Sequence, residues 1–96
     1  MLYALLCDDK PNALQLRMDT RAEHVAFLNG LGDALKFAGP FLDENDKPCG
    51  SLVVIEANSR EAAREIADRD PYALAGLFET VAVRPWNWAI KNPAAG

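Results

Sequence analysis

SLVVIEANSREAAREIADRD, Ser51 to Asp70, changes its period halfway along, and that change decides the fold. Its first part, SLVVIEA, is rich in β-branched residues. Leu52 and Val54 fall on one side of the pleat and Val53 and Ile55 on the other, so this is a strand with neither face wet. In the second part, Asn58 and Glu61 stand at capping-box spacing. Ala62, Ala63, Ile66 and Ala67 then form a stripe of small residues that lets a helix lie close on a sheet. Pro71 pushes the residue before it out of helical geometry, so the helix is expected to end near Asp70.

Working outward, YALAG reads as a short turn into a further strand, LFETVAV, Leu77 to Val83. RPWNWAI follows as an extended arm or an extra edge strand. Upstream, Leu2 to Cys7 is a continuous apolar run closed by the turn-like DDKPN, which suits a buried strand. Leu14, Met18, Val25, Leu28 and Leu31 recur at helical spacing between Ala13 and Leu31. A break is expected near MDTR, where Asp19 or Thr20 can cap a new start. Gly30 and Gly32 end that helix. ALKFAGPFL then reads as a strand with Pro40 near its end, and DENDKP as a polar turn.

The order strand, helix, strand, strand, helix, strand is that of an α+β, ferredoxin-like βαββαβ fold with an antiparallel sheet. Two helices cover one sheet face. Strands apolar on both sides need a second cover, and the same sheet from another copy is the most economical, which predicts a homodimer packed face to face.

With 96 residues, 50% hydrophobic and 25% charged, the chain is expected to be one domain over 1–96, residues 87–96 forming a C-terminal arm. Its net charge is -4, and the basic residues make no run, which argues against nucleic acid as a partner. Nothing approaches the roughly 20 apolar residues of a membrane span, and MLYALLCDDK has neither the basic flank nor the cleavage site of a signal peptide. A cytoplasmic protein with no membrane partner is the expectation. Cys7 and Cys49 stand alone and read as buried reduced thiols, although spacing also allows a bond between them.

The topology gathers one rim of the sheet. The first helix starts there and the second ends there, the second strand ends and the third begins there, and the fourth leaves from there, so Arg21, His24, Gly39, Pro40, Gly50, Ser51, Asp70 and Tyr72 converge. His24 is the chain's only histidine. A carboxylate from Asp70 within hydrogen-bond reach would fix the imidazole's tautomer and leave its other nitrogen for proton transfer. Each residue also has a plainer reading: His24 as a structural histidine, Asp70 as a turn former before proline, Arg21 as a solvated charge, Ser51 as a turn hydroxyl. NGLGD is too short for a dinucleotide fingerprint and follows a helix, and no Gly-rich phosphate loop exists. One histidine without a neighbouring acidic or cysteine cluster argues against a metal site, and Trp86 and Trp88 read as packing residues.

RAEHVAFL, AGPF, CGSLVVIEANSREAAREIA, DPYALAGLFE and VAVRPW, in this order and spacing, resemble the YciI-like family of small bacterial proteins from Met1 to about Trp86. The resemblance implies a ferredoxin-like fold dimerised as an α+β barrel, with a site built on a histidine and an aspartate, here His24 and Asp70. Relatives of that superfamily include a dehydrochlorinase of a chlorinated hydroxyhydroquinone and muconolactone isomerases. The implied chemistry is proton removal and return on small oxygenated rings or acids, with no cofactor. In that scheme Arg21 or Ser51 holds a carboxylate or enolate oxygen, and Tyr72 and Phe78 wall a ring-sized pocket. A non-catalytic small-molecule binding or accessory module is the alternative.

Overall fold

The computed structural model describes residues 1–95. β1 (Leu2–Asp9) is followed by α1 (Leu14–Gly30), β2 (Leu35–Leu42), β3 (Pro48–Glu56), α2 (Arg60–Arg69), the short α3 (Pro71–Leu74) and β4 (Phe78–Trp86). The sheet order is β2-β3-β1-β4, and every pairing is antiparallel, which is the expected ferredoxin-like arrangement. No helix among the described residues is long and apolar enough to cross a membrane.

The two central strands supply the core. Tyr3, Leu5 and Cys7 of β1 and Val53 and Ile55 of β3 point to the helices, where they meet Leu28, Ala63, Ala67 and Val83. Alanine at 63 and 67 leaves no bulk between α2 and the sheet, and both residues are buried. Burying a side chain the size of Ile55 or Leu28 stabilises by about 1.5–3 kcal/mol, so this layer carries the fold.

Alternation along the strands sends Ala4, Leu6, Leu52 and Val54 to the other face. There Phe37, opposite Val54, meets Trp86 with ring centroids 5.6 Å apart, although β2 and β4 are the two edges of the sheet. The rings therefore meet above the central strands, and Trp88 joins them 5.0 Å from Phe37. This aromatic roof explains why Val54 is only 2% exposed on a face without a helix. Toward the other end of that face Leu6 and Leu52 are half-buried, and Phe41 is exposed.

Several local expectations are corrected. α1 runs unbroken through MDTR, because the Asp19 carboxylate accepts from Gln15 Nε2 at 2.8 Å along the helix instead of capping a new start. The buried face of α1 carries Arg17, His24 and Leu28, whereas Leu14 and Met18 are exposed. Ser59, not Asn58, caps α2: its extended backbone lets Oγ accept from Ala62 N at 3.0 Å. YALAG is not a turn alone, since Pro71 to Leu74 form a helical turn with proline at its first position. β4 runs on through Trp86, and Pro85 is tolerated because β4 is an edge strand. Both cysteines are free thiols, Cys7 buried and Cys49 half-buried. Of the C-terminal arm, Gly96 lies outside the described residues.

Candidate active site

A cleft of about 310 Å³ opens at the rim where α1 starts and α2 ends. Its lining includes Arg17, Arg21 and His24 of α1, Gly39 and Pro40 of β2, Ser51 of β3 and Tyr72 of α3. Each comes from a local necessity. Asp70 ends α2 and caps α3, its Oδ1 accepting from Tyr72 N at 2.9 Å, so the aspartate preceding proline turns its carboxylate inward. The short α3 then carries Tyr72 into the molecule, where it is 1% exposed. Gly50 is required beside the cleft because a Cβ there would lie 2.4 Å from the Cys7 carbonyl oxygen.

His24 Nδ1 lies 2.9 Å from each carboxylate oxygen of Asp70. An ionised carboxylate only accepts, so the proton between them sits on Nδ1 and the other ring nitrogen, Nε2, carries no proton in the neutral form. Among the described residues no buried side-chain polar atom lacks a partner. Nε2 makes no hydrogen bond within the chain and is therefore accessible, on a residue that lines the cleft. The imidazole stacks on Tyr72 with centroids 3.9 Å apart and planes 15° from parallel, which holds its orientation.

Arg17 reaches the same tyrosine, its Cζ 4.6 Å from the ring centroid. It donates from Nε and Nη2 to Asp9 at 2.6 and 2.9 Å, and Nη2 also donates to Ser51 Oγ at 2.9 Å. Both side chains of the Arg17–Asp9 pair are 5% exposed. Burial works against the guanidinium's charge, but the bond and attraction from Asp9 outweigh it and hold its pKa above the ordinary value. Tyr72 is raised mainly by burial, against the opposing pull of Arg17. Cys7, opposite Ser51 in the β1–β3 register, is pushed up to about 12 by burial first and by Asp70 second.

Of the residues singled out from the sequence, His24 and Asp70 are in contact, and Arg21, Ser51 and Tyr72 line the cleft. Ser51 is buried and bound to Arg17, and Arg21 is exposed. Phe78 does not line the cleft; it packs edge-on against Tyr72 with centroids 5.9 Å apart and supports that ring. Sequence reasoning missed Arg17 and Asp9. The available signal was a cation seven residues before His24 on one helix, a spacing of two turns that puts both on the same face. Among the described residues no group of three or more His, Cys, Asp or Glu side chains converges as a metal site would require.

Comparison with known proteins places this geometry in a family. Protein YciI of Escherichia coli O6:H1 is 42% identical, over 90% of this chain and 96% of that protein. The solved 5-chloro-2-hydroxyhydroquinone dehydrochlorinase TftG from Burkholderia phenoliruptrix AC1100, in complex with 2,5-dihydroxybenzoquinone, superposes with a TM-score of 0.82 at 32% identity, covering 91% of this chain and 94% of that one. An antibiotic biosynthesis monooxygenase shares the fold alone, with a TM-score of 0.55 and 18% identity over 91% of this chain and 99% of its own. The family model for the YCII-related domain matches residues 1–87, and the chain belongs to that family.

Proposed function

We propose that this chain is a cofactor-independent lyase or isomerase that moves a proton on a small oxygenated ring or carboxylic acid, with His24 as general base and acid. The observation that carries the reading is the orientation of the imidazole: Nδ1 is tied to Asp70 while Nε2 is free at the cleft. Nε2 takes a proton from carbon or oxygen of the substrate, and Asp70 balances the imidazolium that results. Negative charge developing on a substrate oxygen is held by donors of Arg17, Ser51 or Arg21. The imidazolium then returns its proton at another position, giving an isomer, or protonates the departing group, giving elimination. TftG, a dehydrochlorinase of a small ring compound, supports this class of chemistry at 32% identity.

The test uses the compounds of that neighbour as probes. 2,5-Dihydroxybenzoquinone is expected to bind, and 5-chloro-2-hydroxyhydroquinone to release chloride. His24→Asn and Asp70→Asn should each abolish release while leaving the unfolding transition in place. Binding by the parent with no turnover of any bound compound would instead make the chain a small-molecule binding module.

The same proposal includes a homodimer in the cytoplasm, formed through the sheet face opposite the helices. Support comes from the half-buried Leu6 and Leu52 and the exposed Phe41, which leave apolar area beyond the aromatic roof. Reduced cysteines suit that compartment. Sedimentation at low micromolar concentration should give twice the chain mass, and a monomer there would refute the dimer.

A further inference from the structure

The cleft differs in charge from the molecule around it. Its lining includes Arg17, Arg21 and His24 and no carboxylate, in a chain of net charge -4. Asp9 and Asp70 are absent from the lining, and each is engaged with one of the cleft's own bases. The two arginines are therefore not equivalent. Arg17 is bidentate to Asp9, so its charge is already balanced inside the protein, and it brings hydrogen-bond direction with little net attraction. Arg21, one turn further along the same helix face, has no carboxylate partner among the described residues. It is exposed while lining the cleft, so it stands at the solvent edge.

We infer that Arg21 is the charge-selecting residue of this cleft and that the ligand is a small flat monoanion, the carboxylate or ionised hydroxyl of a single-ring compound. The volume of about 310 Å³ suits one ring and its substituents. Much of the remaining wall is apolar, with Val25, Leu28, Pro40, Val53 and Tyr72 offering the ring a surface. Ser51 Oγ, while accepting from Arg17, keeps a hydroxyl proton to donate to a ligand oxygen. A neutral ring compound gains the wall and these donors, and an anion gains Arg21 in addition. The inference rests on the proton-transfer reading for the identity of the site, but its test reads binding and not turnover.

The probes are benzoate and benzyl alcohol, which share a ring and differ in charge, titrated into the full chain while the His24 side-chain resonances are followed by NMR. Benzoate is expected to shift those resonances, to bind more tightly than benzyl alcohol, and to weaken severalfold as salt is raised, since an exposed cation is screened over about 10 Å. Arg21→Gln should weaken benzoate about tenfold, remove most of the salt dependence and leave benzyl alcohol unchanged. Because Arg21 is exposed, its thermal unfolding should match the parent's. The inference is overturned if benzyl alcohol binds as well as benzoate, if Arg21→Gln binds benzoate like the parent, or if benzoate leaves His24 undisturbed. Selective benzoate binding without chloride release from the chlorinated ring would refute the catalytic reading alone.

Discussion

His24 Nδ1 lies 2.9 Å from both carboxylate oxygens of Asp70, a residue 46 positions further along the chain. The contact assigns one tautomer to the neutral imidazole, with the proton on Nδ1. Nitrogen-15 spectra of the ring should show that form in the parent. Asp70→Ala frees Nδ1, so the share of the Nε2–H form should rise. The alanine also removes the cap of α3 and should cost about 1 kcal/mol of stability, whereas Asp70→Asn keeps a capping oxygen. An unaltered tautomer ratio in Asp70→Ala would count against the pair as the orienting element.

Arg17 and Asp9 form a buried ion pair, and breaking one side leaves the other uncompensated. Arg17→Met should lose about 3–5 kcal/mol in urea unfolding. The double variant Arg17→Met/Asp9→Leu should recover most of that, because no lone charge remains. Losses that simply add would show that the two side chains are not energetically coupled.

Gly50 and Gly39 separate close packing from open space on neighbouring strands. A Cβ at Gly50 would meet backbone, the Cys7 carbonyl oxygen at 2.4 Å, and also Phe41 Cδ2 at 3.3 Å. Gly50→Ala should destabilise by the upper part of the roughly 1–3 kcal/mol typical of overpacking. Gly39 has nothing within 4 Å of a built Cβ. Gly39→Ala should stay within about 0.5 kcal/mol of the parent, and equal losses at the two sites would contradict this account.

The Cys7 thiol, raised from its ordinary 9.0 to about 12, sets an alkaline dependence. Between these values the folded chain holds a proton that the unfolded chain has released, so stability is complete below pH 9 and falls as pH rises through about 12. Tyr72, also raised by burial, acts in the same direction. Cys7→Ala should show a shallower alkaline fall than the parent whatever its stability at neutral pH. An identical slope would remove Cys7 as a contributor.

Local patterns in the chain were enough for the element order, the two-sided burial of the central strands, the small-residue face of α2 and the stop before Pro71. Each depends on residues a few positions apart, and from them the ferredoxin-like fold follows. The rim on which His24, Ser51, Asp70 and Tyr72 meet was legible one level up, because that topology sends their segments to a single end of the sheet. The tertiary structure alone decided which side chains turn inward there. Helical spacing marks Leu14 and Met18 and passes over Arg17, yet Arg17 is buried because Asp9, Ser51 and the Tyr72 ring together replace its water. Phe78, expected in the cleft wall, instead braces Tyr72. A hydrophobic pattern records which residues leave water cheaply. It does not record which polar groups find enough partners to follow them, because those partners come from strands and helices whose register is set only when the whole sheet forms.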